Sequence, residues 1–177
     1  EWCEVEVRRE GKVYFQRYER GRPVAAVKEI GKAKAGETGN KTRFLFDKEI
    51  FKEDINYRFD TLAQRFREMA FVTRQVEIAL IDERVDPIRS MRFYFEGGIV
   101  SFVKYLNRNR EVLHDVFYVE KEVDNIGIEA AVQYTDAYSE SVYCFANTIN
   151  TVDGGTHQTG FRSAITRVLN DYARRNN

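Results

Sequence analysis

The pattern of hydrophobic and polar positions opens on alternation. Val5 and Val7 alternate with Glu4, Glu6 and Arg8, and after Glu10-Gly11 a second alternating run covers residues 13–18. That spacing predicts a β-hairpin closed by a short glycine turn. Gly21-Arg22-Pro23 then turns the chain into a third apolar run over residues 24–30. Residues 31–41, rich in Gly, Lys and Ala, read as a loop, and residues 42–46 as the next strand. From Phe59 the period changes. Phe59, Leu62, Ala63, Phe66, Met69 and Ala70 recur at spacings of three and four, which places them on one stripe of a helix. Residues 76–81 and 91–95 alternate again around a polar turn containing Asp86-Pro87, and are expected to pair.

Gly97-Gly98 precedes Ile99, Phe102, Val103 and Leu106, again at helical spacing, and a domain boundary is expected here. Strand-like runs follow at residues 116–119, 126–134 and 141–146. A last helix carries Phe161, Ala164, Ile165, Val168, Leu169 and Tyr172 on one face. Phe161, Ile165, Val168 and Leu169 are expected to be buried against the strands of the second half. The pattern describes two α+β units, with no internal repeat or low-complexity tract.

Composition narrows the class. With 43% hydrophobic and 14% aromatic residues and only two prolines in 177 residues, the chain is an ordered globular protein able to bury a core. Lys plus Arg and Asp plus Glu stand at 28 each, so no global field draws it to nucleic acid or to an anionic membrane. Any DNA contact has to come from a local patch. Cys3 and Cys144 show neither CxxC spacing nor a disulfide framework, which makes the cytoplasm the default compartment. No run of about 18 apolar residues suggests a membrane span. The start at Glu1-Trp2-Cys3, without a methionine or a leader, suggests a piece of a longer protein.

Candidate chemistry is sparse. Asp153-Gly154-Gly155-Thr156-His157 stands directly before the last helix, where consecutive glycines can expose backbone amides to a phosphate. A tight turn with Thr156 capping the helix accounts for the same residues. His114 and His157 lack a second ligand at three- or four-residue spacing, so no metal site is expected, and no nucleophile motif accompanies either histidine. Arg162, Arg167, Arg174 and Arg175 lie in or just after the last helix, with only Asp171 opposing them. They form either a phosphate-contacting surface or a solvated face whose cations suit the helix C-terminus.

Longer strings carry a family resemblance: "RREGKVYFQRYERGRPV", "YRFDTLAQRFREMAF", "VEIALIDER", "FYFEGGIVSFVKYLN" and "SVYCFANTINTVDGGTHQTGFRSAITRVLNDYAR". In this order, and over nearly the whole chain, they resemble the ATPase subunits of the bacterial type IIA topoisomerases, the DNA gyrase B family with topoisomerase IV as its close relative. The resemblance implies an α+β fold. Residues 1–95 would be the C-terminal part of a GHKL-type ATPase domain, an α/β sandwich, and 96–177 the N-terminal part of a transducer domain resembling a ribosomal-protein fold. It also implies an ATP-operated clamp, using ATP and Mg2+, that couples hydrolysis to DNA strand passage and supercoiling. The partners would be DNA, the gyrase A subunit and a second gyrase B protomer, with aminocoumarin-type inhibitors as candidate ligands and no membrane involved.

The family's magnesium-binding Asn, catalytic Glu, adenine-binding Asp and glycine-rich lid would align upstream of Glu1, and the lysine that reaches the γ-phosphate downstream of Asn177. The chain by itself is therefore expected to have no catalytic residue and no ATPase activity, and to bind ATP weakly or not at all. Arg9 aligns with the pocket-rim arginine that aminocoumarins contact. Asn40 falls where the family has Thr, beside Thr42, in the nucleotide and antibiotic pocket. Phe46 and Gln75 stand where Pro and Gly are expected. Arg162 aligns with an arginine facing the DNA cavity, and the DGGTH turn with a turn outside the ATP site. Two functional classes follow: a piece of an ATP-driven topoisomerase, or a non-catalytic transducer-type scaffold or DNA-contacting module, natural or engineered.

Overall fold

The computed structural model describes residues 1–53 and 56–176. Its packing separates two units, Glu1–Tyr57 and Arg58–Asn177.

The first unit is one antiparallel sheet. Strands β1 (Trp2–Arg9), β2 (Lys12–Glu19), β3 (Arg22–Pro23), β4 (Lys28–Lys32) and β5 (Gly39–Leu45) run in the order β3-β2-β1-β5, with β4 also on β2. Two-residue turns set the register. Arg9 pairs with Lys12 across Glu10-Gly11, and Glu19 with Arg22 across Arg20-Gly21. Both central residues of each turn have positive φ, the type I′ geometry whose twist matches that of the flanking strands. The hairpin expected from alternation is therefore present. The third apolar run is not one strand: only residues 28–32 pair, through an irregularity opposite Val13 and Tyr14, and Val24 and Val27 remain exposed. Gly31, expected in a loop, sits in β4 opposite Val13.

The second unit holds α1 (Phe59–Val72), β6 (Ile78–Asp82), β7 (Arg89–Phe93), α2 (Gly98–Leu106), β8 (Phe117–Val123), β9 (Ile126–Val132), β10 (Phe145–Ala146), β11 (Ile149–Asn150) and α3 (Thr156–Asn176). The stripe expected on α1 is its buried face. Phe59, Ala63 and Ala70 form the core with Phe93 of β7, and Phe66, Ile78 and Leu80 pack against it. Phe71, 1% exposed, stacks on Phe95 and on Phe102 of α2 with centroids 3.6 and 4.9 Å apart. Phe102 in turn meets Tyr143 and Phe145 edge-on. Aromatic packing is thus continuous from α1 through α2 to β10 within the second unit. Just past α1, Arg74 lies over the Tyr118 ring and donates to Tyr118 and Glu129, tying the end of α1 to the β8–β9 hairpin. Gly98 accommodates this arginine: its φ is +55, and a Cβ there would meet Arg74 Nε at 2.7 Å.

Two expectations for the second unit need correction. Of residues 141–146 only Phe145–Ala146 is strand. The helix α3 forms as its periodicity predicts, but none of its described residues is buried. Phe161 is 39%, Leu169 54% and Val168 62% exposed, so these side chains are not packed under the strands of the unit. Periodicity reports which face of a helix is apolar and carries no information on what covers it.

Candidate functional site

Two places gather the residues singled out in the sequence, one in each unit. In the first unit, side chains alternate across a strand and cross-strand partners share a face. Asn40 and Thr42 of β5 stand opposite Val7 and Val5 of β1. Arg9 has the same parity on β1, two residues beyond Val7. Arg9, Asn40 and Thr42 therefore lie on one face, with Val5, Val7, Tyr14 and Phe44. The opposite face is charged: Arg17 reaches Glu4 at 2.7 Å and lies 5.3 Å over the Trp2 ring, and Arg8 reaches Glu6 at 2.6 Å. One face holds Val5, Val7, Tyr14 and Phe44 together with an amide, a hydroxyl and the Arg9 guanidinium, with the Lys12–Glu29 ion pair at its edge; the other carries the ion pairs of Glu4 and Glu6 beside Trp2, Val13 and Phe15. The Arg9 guanidinium lies 3.1 Å from Glu10, both side chains 73% exposed, so the contact is weak and the arginine can be recruited by a ligand.

The second place is α3. Arg162, Thr166, Asn170 and Arg174 follow one another at four-residue steps, with Ser163 and Arg167 beside them, and together they line an open trough along the helix. Asp171 is its one carboxylate. The apolar stripe of Phe161, Ile165, Val168, Leu169 and Tyr172 occupies the opposite side, at about 100° of rotation per residue. Arg175 does not line the trough and falls nearer the apolar stripe by the same rotation. Of the four arginines expected as a phosphate-contacting surface, three are brought together.

Arg162 is already engaged. Its Nη1 and Nη2 donate to the two carboxylate oxygens of Glu140 at 3.1 and 2.6 Å. The pair is exposed rather than internal, and the hydrogen bond to Glu140 raises the arginine's already high pKa, so its charge is permanent. Nothing in the sequence marks Glu140 as this partner. It lies 22 residues before Arg162, in a stretch with neither helix nor strand and hence no periodicity to read.

The DGGTH segment is a turn. Gly154 and Gly155 precede α3 with φ of +77° and +159°, and Thr156 is the first helical residue rather than its cap. A Cβ on Gly154 would collide with Gln158 Oε1, and one on Gly155 would meet the His157 ring at 2.8 Å. The glycines thus make room for the helix's own side chains. Both histidines act as local staples: His157 Nε2 meets Thr151 Oγ1 at 3.2 Å, and His114 Nε2 accepts the Tyr134 N–H at 2.9 Å. Among the described residues no group of three or more His, Cys, Asp or Glu is placed to hold a metal ion, and no helix is long and apolar enough to cross a membrane.

Comparison with known proteins extends this geometry. A DNA gyrase B family model matches residues 98–177. The B subunit of DNA gyrase from Bacillus mycoides is 46% identical over 175 residues, which is 98% of this chain and 43% of that protein. The corresponding gyrase B subunit of Clostridium acetobutylicum is 48% identical over 99% of the chain and 27% of its own length. The B subunit of DNA topoisomerase 4 from Streptococcus pneumoniae is 42% identical over 98% and 27%. Among solved structures, the 43K ATPase domain of Thermus thermophilus gyrase B, in complex with an aminocoumarin, matches with a TM-score of 0.82 at 32% identity, over 99% of this chain and 47% of that one. The chain spans less than half the length of each of these proteins.

Proposed function

This chain belongs to the DNA gyrase B family of type IIA topoisomerase ATPase subunits, and on that premise we propose that it forms part of an ATP-operated DNA clamp. Residues 1–95 contribute the last part of a GHKL-type ATPase domain and 96–177 the first part of a transducer. The family match beginning at residue 98 supports that boundary. The observation that carries the reading is that the likeness to a gyrase ATPase domain runs through both units at once, over 99% of the chain. The parent activity is ATP-dependent DNA strand passage and supercoiling, with a second gyrase B protomer, the gyrase A subunit and DNA as partners.

The face carrying Arg9, Asn40 and Thr42 supplies one wall of the nucleotide and aminocoumarin pocket. Its Val5, Val7, Tyr14 and Phe44 side chains suit a planar ring, with Asn40 offering both a donor and an acceptor where a hydroxyl is usual in the family. The residues of this wall fit the ring portion of ATP, whereas no described cluster fits Mg2+. When bound, ATP supplies the phosphoryl group whose transfer drives the clamp. This chain's own residues orient the base and line the pocket rim.

The trough of α3 contacts the DNA backbone. Three guanidiniums along one helix face present point charges that phosphates can meet, while a neutral chain leaves no global attraction to compete with them. Binding of duplex DNA measured against salt concentration tests this. Replacing Arg167 and Arg174 together by Ala is expected to weaken binding at low salt and to flatten the log–log salt slope by up to about 1.8, two contacts at about 0.9 each. An unchanged slope in a folded double variant would remove the DNA assignment from α3.

A further inference from the structure

We propose that Glu140 is an intramolecular competitor for phosphate at Arg162, closing the first position of the α3 trough until a nucleic-acid backbone displaces it. The inference rests on the reading of that trough as a DNA-contacting face.

Four observations converge on it. The contact is two-pronged, with Arg162 Nη1 and Nη2 on separate oxygens of one carboxylate at 3.1 and 2.6 Å. That is the geometry by which a guanidinium grips two oxygens of a phosphate, so carboxylate and phosphate compete for the same donors. The pair is also solvent-exposed, at 49% for Arg162 and 65% for Glu140, and an exposed pair contributes little to folding. It can open without leaving a buried charge behind.

The pairing is selective within the trough. Arg167 and Arg174 line it without an ion-pair partner among the described residues, and only Arg162 is occupied. An incoming strand thus meets two open cations and one that is masked. Finally, residues 136–144, which carry Glu140, form neither helix nor strand, so withdrawing the carboxylate breaks no ladder of backbone hydrogen bonds. Tyr138 within that stretch is fully exposed.

The mechanism is an exchange of partners. With Glu140 in place, the Arg162 charge is compensated and displaces no counterion from DNA. Once phosphate replaces the carboxylate, one further counterion is released and Glu140 returns to water. Low salt favours the exchange and high salt opposes it, so the position is engaged in a graded way by the strength of the DNA field.

The test is binding of an oligonucleotide duplex by the 177-residue chain across a salt series, for the wild type, Glu140→Gln, Arg162→Ala, the two combined, and Arg167→Ala with Arg174→Ala. Far-UV circular dichroism confirms that each variant is folded. Glu140→Gln is expected to tighten binding roughly two- to five-fold, the reach of one exposed charge, and to steepen the salt slope by up to about 0.9 over the salt range in which the wild type keeps Glu140 on Arg162. The gain should vanish when Arg162 is also removed. Glu140→Asp, which keeps the charge on a shorter arm, should give a smaller gain and serves if the glutamine variant does not fold. If Glu140→Gln binds no more tightly, or its gain survives the loss of Arg162, while the Arg167/Arg174 variant still loses affinity, the competitor role is wrong and the DNA face stands. If the Arg167/Arg174 variant binds as the wild type does, or the wild type does not bind at low salt, the DNA reading fails and this inference fails with it.

Discussion

Gln75 holds a backbone position of φ +63, in the left-handed region, just where the family resemblance leads one to expect glycine. A side chain there costs roughly 1–2 kcal/mol, of which the greater freedom of an unfolded glycine takes back about 0.5–1. Gln75→Gly is therefore expected to stabilise the chain by about 0.5–1 kcal/mol, seen as a higher midpoint in thermal or urea unfolding. A lower midpoint would mean that the exposed glutamine side chain makes a contact worth more than the strain. At this scale the sequence was legible where a residue has one backbone use: Glu10-Gly11 announced its turn, and Gly154-Gly155 theirs. Pairings made by long side chains over many residues were not legible. Arg74 over Tyr118 and Arg162 with Glu140 both depend on loop placement, which leaves no periodic trace.

At the scale of elements, α1 and α3 make an instructive pair. Both show apolar residues at three- and four-residue spacing, and both are helices. Only α1 has its stripe covered, by β6, β7 and α2. Phe71→Ala, which empties a stack against Phe95 and Phe102, should cost about 3–5 kcal/mol. Leu169→Ala, at 54% exposure on α3, should change stability by no more than about 0.5 kcal/mol. Chemical denaturation of the two variants separates them, and similar losses in both would show that α3 packs more tightly than its exposure implies. The short strand β4 was hard to read. Pairing of residues 28–32 with β2 is decided by partners across the sheet rather than by local alternation.

At the scale of the whole molecule, balanced charge conceals a local asymmetry. The 28 cations and 28 anions cancel overall, while three of the arginines line one side of a single helix. Composition shows no global field, and of the four arginines singled out at the last helix, Arg162, Arg167 and Arg174 share one side while Arg175 does not. The wall proposed for the nucleotide pocket was suggested only by resemblance. Its three residues are 31 and 33 positions apart from Arg9 in sequence, and sheet register alone brings them to one face. Among the described residues no cluster of His, Cys, Asp or Glu is placed to hold a metal ion, and the chain spans 43% of its Bacillus mycoides relative, so its activity has to be read in the context of its longer relatives. The central claim is that these 177 residues are a working part of a gyrase-type clamp. It is tested most directly by exchanging them for the matching stretch of Bacillus mycoides gyrase B and measuring ATP-dependent supercoiling of relaxed plasmid with that organism's gyrase A. The account predicts supercoiling within about tenfold of the unexchanged enzyme, a loss of no more than about 1.4 kcal/mol in the coupled step. A folded chimera that hydrolyses no ATP in the presence of DNA and introduces no supercoils would contradict it.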